Sequence, residues 1–118
     1  MSRYNTGILN ERLAQTYLES HGLKLEKKNY KVKFGEIDLI MRDKEYLVFV
    51  EVRYRCKSNY GSSVESVTPN KQRRIIRTAL HYLQKTQQLD AIDCRFDVVG
   101  IDHKQEIVWI KDAFQVQY

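Results

Sequence analysis

Residues 35 to 55 constrain the fold more than any other part of the chain. Two runs of strand-forming residues, GEIDLIMR and EYLVFVEVRYR, flank Asp43-Lys44, which reads as a two-residue turn. Such a connection pairs Arg42 with Glu45 and carries the pairing outward, so that Asp38 faces Phe49 and Glu36 faces Glu51. Strand side chains alternate between faces. One face then carries Glu36, Asp38, Ile40, Leu47, Phe49, Glu51 and Arg53, and the other, from Ile37 to Tyr54, is a core face. A loop one residue longer or shorter would move the acid of the second strand to the opposite side.

On the first face the apolar residues gather near the turn and the acids at the far end. Directly paired side chains lie about 5 Å apart at Cβ and diagonal ones about 7 Å, so Glu36, Asp38 and Glu51 would repel unless something neutralises them. A divalent cation would do so. The plainer alternative is an amphipathic sheet whose acids face water. Against it, Ile40, Leu47 and Phe49 share the face, which suggests that a helix covers part of it and leaves the carboxylates at a rim.

Charge points the same way. The chain carries a formal net charge of +5, and its cations bracket the acids: Lys24 to Lys33 precede them, Arg53, Arg55 and Lys57 follow, and Lys71, Arg73, Arg74 and Arg77 open a later helix. A polyanion drawn to those flanks would bring a phosphodiester to a carboxylate-held metal, a combination that suits a nuclease better than a simple binder. Lysines guarding an edge strand and arginines on a solvated helix face are the competing explanation.

The remaining elements are conventional. A helix over residues 5 to 21 has Asn5 or Thr6 as cap, apolar Ile8, Leu9, Leu13, Tyr17 and Leu18, and a stop at Gly22. Glu11 falls on the flank of that apolar side, where it can lie along the sheet or serve as an ordinary early-helix acid. Residues 23 to 33 read as a strand and 57 to 67 as an irregular segment rich in Ser, Asn and Gly. Thr68-Pro69 caps a second helix with apolar Ile75, Ile76, Ala79, Leu80 and Leu83, whose N-terminal Lys71 and Arg74 would welcome a phosphate. Two strands follow, near 94 to 101 and 107 to 111. A helix between strand groups permits one parallel crossover, which gives a small α/β sandwich of one domain over residues 1–118. Cys56 and Cys94 read as reduced thiols and His21, His81 and His103 as surface residues. With no membrane-length apolar run and no apolar leader, the expectation is a cytoplasmic protein without membrane contact.

The element order, an acid on the first helix, Asp38 on the second strand and Glu51-Val52-Arg53 on the third resemble the PD-(D/E)xK nuclease superfamily, in particular archaeal Holliday-junction resolvases. A closer resemblance, across nearly the full length, is to the YraN-like family of small bacterial proteins of unassigned function. It is carried by Glu11 with Ala14 and Tyr17-Leu18, Asn29-Tyr30, residues 35 to 40 and 49 to 55, Lys71 to Arg74, Arg95 to Val99, and Ala113-Phe114.

The resemblance implies a restriction-endonuclease-like three-layer core in the order α-β-β-β-α-β-β, a mixed sheet flanked by helices. It further implies an endonuclease acting on DNA, with branched or otherwise structured DNA as substrate and a homodimer by analogy with resolvases. Asp38 and Glu51 would bind Mg²⁺ or Mn²⁺, helped by the Val52 carbonyl and by Glu11, and Arg55, Lys71, Arg73, Arg74 and Arg77 would face nucleic acid. Arg53 departs from the pattern, which has lysine there. A guanidinium stays charged, so Arg53 can orient water or offset phosphate charge but cannot act as a base. The alternative is a nucleic-acid-binding module that keeps the nuclease fold without its chemistry.

Overall fold

The computed structural model describes residues 3–55, 65–89 and 91–116. Helix α1 (Arg3–Ser20) is followed by strands β1 (Lys24–Val32), β2 (Gly35–Asp43) and β3 (Tyr46–Arg55), helix α2 (Pro69–Lys85), and strands β4 (Asp93–Asp102) and β5 (Ile107–Phe114). The expected order is observed. The five strands lie side by side in chain order; β3 and β4 run parallel and every other neighbouring pair is antiparallel. Helix α2 is the crossover that a parallel pair requires.

Both helix boundaries have local causes. Gly22, with φ 95, ends α1: Leu23 N–H reaches Leu18 O and Gly22 N–H reaches Glu19 O, a reciprocal closure needing a left-handed residue. At the start of α2 the Thr68 hydroxyl accepts from Lys71 N–H, and Pro69 occupies the first turn. Cys56 and most of the Ser/Asn/Gly-rich segment lie outside the described residues.

The sheet separates two apolar layers. On one side α2 contributes Ile75, Ala79, Tyr82 and Leu83, packed on Ile40, Leu47, Phe49 and Phe96. On the other, Ala14 and Leu18 of α1 pack on Leu39, Met41, Val48 and Val50. The helix cover inferred from Ile40, Leu47 and Phe49 is therefore α2. Its buried stripe includes Tyr82, while Leu80 is 43% exposed: burying Ile75, Ala79 and Leu83 leaves Leu80 turned outward.

The hairpin register differs from the expected one. Asp43 pairs with Tyr46 and Leu39 with Val50, so the turn residues are Lys44 and Glu45, with Lys44 left-handed at φ 56. Each strand is displaced by one residue, which keeps the faces but changes the partners. Continued one step beyond Leu39–Val50, this register sets Asp38 against Glu51, and Glu36 instead pairs with Lys31 on β1 and is exposed. A second irregularity places Asp38 at a change of phase. Ile37 belongs to the α2 layer and Leu39 to the α1 layer, although a regular strand would keep them on one face. Opposite this point Asn29 has φ 52, between the pairs Lys28–Leu39 and Tyr30–Ile37.

Candidate functional site

The displaced register brings two carboxyls together. Asp38 and Glu51 are within hydrogen-bonding reach of each other, and Asp38 Oδ2 also accepts from Val52 N–H at 2.8 Å. Burial pushes the Asp38 carboxyl well above the usual carboxylate range; the hydrogen bond and repulsion from Glu51 push it further, against the pull of Val52 N–H and Lys71. Asp38 therefore keeps its proton more readily than a free carboxyl does. Glu51 is 6% exposed, and its Oε2 atom is buried without a hydrogen-bond partner. A buried carboxylate oxygen without a hydrogen bond is costly, and it is a group that a cation could satisfy.

The counter-charge comes from α2. Lys71 Nζ lies 3.8 Å from Glu51 Oε2, brought there by its place in the first turn behind the Thr68 cap. Sequence reading set Lys71 among the phosphate-facing cations and missed this contact, which depends on how α2 crosses the sheet. Arg53 is turned elsewhere: its Nε donates to Ser66 Oγ at 3.0 Å and its Nη2 to Ser66 O at 3.3 Å. Val52 meets the pair through its N–H, which donates to Asp38.

Glu11 reaches the sheet, as its position on the helix flank allowed. Its Oε1 accepts from Asn29 Nδ2 at 2.8 Å, joining α1 to the point where β1 is left-handed. Burial raises its carboxyl above the ordinary value; Asn29 opposes this, and the nearby negative charges of Asp38 and Glu36 add to it. Glu11 is thus in the field of the pair without joining it: among the described residues no three His, Cys, Asp or Glu side chains form a group that could hold a metal. The carboxylates that could serve a cation together are Asp38 and Glu51. That suits Mg²⁺, a hard ion commonly held by one or two carboxylates with its remaining positions filled by water and substrate phosphate.

The predicted cations divide. Arg74 and Arg77 line a groove of about 610 Å³ on α2, with Lys71, against the β1–β2 turn. Arg73 is exposed and donates to Asn70 Oδ1. Arg55 is only 5% exposed and faces Asp102 across β3 and β4, with Nη2 3.9 Å from Oδ2. It is a buried partner of the sheet and is not placed to meet nucleic acid. His21, His81 and His103 are exposed, as read, although His81 Nδ1 is bonded to the Tyr30 hydroxyl at 2.6 Å.

The C-terminal strands hold a polar cluster that no motif announced. Asp97 is fully buried and receives Arg95 Nε at 3.1 Å, Trp109 Nε1 at 2.9 Å and Asp112 N–H at 2.9 Å. These bonds tie β4 to the irregular end of β5, where Asp112 has φ 52. A carboxylate so completely satisfied is structural.

Comparison with known proteins gives a family. The profile of "Uncharacterised protein family UPF0102" matches residues 10–101. A UPF0102 protein of Coxiella burnetii is 54% identical over 112 residues, covering 95% of this chain and 93% of its own. One from Nitrosococcus oceani is 51% identical over 110 residues, covering 91% and 89%, and one from Legionella pneumophila is 47% identical over 109 residues, covering 92% of each.

Proposed function

The chain belongs to the uncharacterised family UPF0102, and from that premise we propose that it is a metal-dependent endonuclease acting on phosphodiester bonds in nucleic acid, DNA foremost. The observation that carries the reading is the Asp38–Glu51 pair with its unmatched Glu51 oxygen beside Lys71. Asp38 and Glu51 would hold Mg²⁺ or Mn²⁺, which would supply an activated water and offset charge on the scissile phosphate.

The chain's own groups supply the rest. Without a metal ion, the raised Asp38 carboxyl and the Lys71 ammonium limit the negative charge that buried Glu51 meets. Lys71, which lies beside both the pair and the groove, would be available to a phosphate. Lys71 is the cation that touches the pair, and Arg53, fixed by Ser66, provides constant positive charge on the same strand as Glu51. Val52 N–H orients Asp38, and Glu11, held by Asn29, adds negative potential from the α1 side.

The purified protein, given Mn²⁺ or Mg²⁺ and linear, single-stranded or four-way DNA, should cut at least one of them. Asp38→Ala or Glu51→Ala should abolish cutting; activity that survives both substitutions defeats the proposal. The competing reading, a binding module without chemistry, draws support from the arginine at position 53 and from the two-carboxylate donor set. It predicts calorimetry with Mn²⁺ that shows no site dependent on Asp38.

A further inference from the structure

The groove beside the carboxyl pair has a composition that the metal site does not explain. Lys31, Lys33, Lys71, Arg74 and Arg77 line it, with Glu36 as the acid among its lining residues. So many cations around one concavity repel one another unless an anion is present. Its aromatic member is Phe34, in the β1–β2 turn, and the Arg77 guanidinium lies over that ring 4.4 Å from the centroid. Lys71 is common to the groove and to the carboxyl pair, so the groove borders buried Glu51 through that side chain.

We infer that this groove receives an unpaired nucleic-acid strand, its phosphates on the five cations and a base stacked on the Phe34–Arg77 pair, and passes the backbone to Asp38 and Glu51 by way of Lys71. The proposal deepens the nuclease reading and rests on it for what happens at the carboxyl pair, while the binding step stands apart. Two features favour a single strand. About 610 Å³ has the capacity of one nucleotide step. In addition, an aromatic ring and a guanidinium plane recognise a base by its π-face, which a paired and stacked base does not offer.

The groove depends on a close approach. A Cβ on Gly35 would overlap Thr78 Oγ1 and lie 3.0 Å from Arg74 O, so a glycine at this position lets α2 sit against the turn that carries Phe34.

The test is fluorescence anisotropy in chelator, with divalent ions absent and cleavage not read. The probes are a labelled oligothymidine, the matching oligouridine and a blunt duplex of the same length. Either single strand should bind at least about tenfold tighter than the duplex, with a log–log salt slope near −3.5 if all five cations meet phosphate, about 0.7 for each. Phe34→Ala should cost single-strand binding about tenfold while Phe34→Trp retains it, a loss on the scale of one stacked base. Lys33→Glu with Arg77→Glu should flatten the salt slope, and this pair carries the test if Phe34→Ala melts below the assay temperature. Preference between the two sugars identifies the strand as DNA or RNA. Duplex binding equal to single-strand binding, or wild-type affinity in both Phe34→Ala and the double charge reversal, overturns the proposal. Loss of metal-dependent cutting with binding intact sinks the nuclease reading alone.

Discussion

Asp38→Asn should make the metal-free protein more stable and leave it blind to divalent cations. The substitution keeps the shape and removes the ability to carry charge next to buried Glu51. Two charges about 4 Å apart interact by about 4 kcal/mol at an effective dielectric of 20, an upper bound on the strain of ionising both carboxyls. Lys71, 3.8 Å from Glu51, and the Val52 N–H bond to Asp38 return part of that, leaving about 2 kcal/mol. The dependence on pH follows from the raised Asp38 carboxyl. Between the unfolded carboxyl's value near 4 and the higher folded value, the unfolded chain has released a proton that the folded chain keeps, so stability falls as pH rises through that window, by about 1.4 kcal/mol per pH unit. Above the folded value the loss is complete and the curve is flat. The amide introduced by Asp38→Asn has no such proton to release. Denaturant unfolding from pH 4 to pH 9 should therefore show the two proteins diverging as pH rises, with Asp38→Asn ahead by about 2 kcal/mol at pH 8, worth roughly 6–12 °C in melting temperature for a domain of this size. Mn²⁺ at a hundred times its dissociation constant should add about 2.7 kcal/mol to the wild type and nothing to the variant. Parallel pH curves, or stabilisation by Mn²⁺ in Asp38→Asn, would refute the reasoning.

Three further outcomes test separate contacts. Lys71→Met leaves Glu51 buried with its cation gone and should cost about 1–2 kcal/mol, because the lysine is partly solvated; Mg²⁺ should recover most of the loss in a melting experiment. Gly35→Ala should lose about 1–3 kcal/mol through the clash with Thr78, and Gly35→Ala with Thr78→Ala should regain part of it, since the remaining contact is a backbone oxygen at 3.0 Å; equal stability of the two variants would place the strain elsewhere. Asp97→Ala strands Trp109 Nε1 and Asp112 N–H and leaves Arg95 with Asp43 alone, and should cost about 2–4 kcal/mol, with tryptophan fluorescence reporting the loosened β4–β5 end directly because Trp109 is the chain's one tryptophan.

What the sequence disclosed and what it withheld divide along the range of the forces involved. The element order was legible because alternation, the Thr68-Pro69 start and the Gly22 stop are local signals, and each is realised in the structure. The acid cluster was legible as a face but not as a pairing. Asp43-Lys44 and Lys44-Glu45 are both acceptable two-residue turns, and moving between them preserves every side chain's face while exchanging Glu36 for Asp38 as the partner of Glu51. Periodicity cannot separate registers that differ in this way, since both bury the same residues. Nor could it foresee the change of phase at Asp38, which shows only in the left-handed Asn29 across the strand. Arg55 illustrates the opposite error: an arginine at a strand end reads as solvent-facing, yet the parallel register of β3 and β4 sets it against Asp102, beyond the crossover helix in the chain.

Lys71 brings these lines together. A lysine in the first turn of α2 has no local reason to meet an acid on β3. Its distance of 3.8 Å from Glu51 is the product of three separate constraints: the Thr68 cap that fixes where the helix begins, the packing of Ile75 and Ala79 that fixes its face, and Gly35, which fixes how closely it lies on the sheet. Arg53, on the strand itself, is meanwhile drawn away by Ser66, just ahead of the same helix. The titratable cation at the carboxyl pair thus comes from the crossover helix, and the fixed one from the strand. A swap, Arg53→Lys with Lys71→Arg, separates position from chemistry. If the α2 site is where a proton must be exchanged, the swap should lose cutting while keeping its fold and Mn²⁺ binding; if the strand position suffices, the swap should cut at least as well as the wild type.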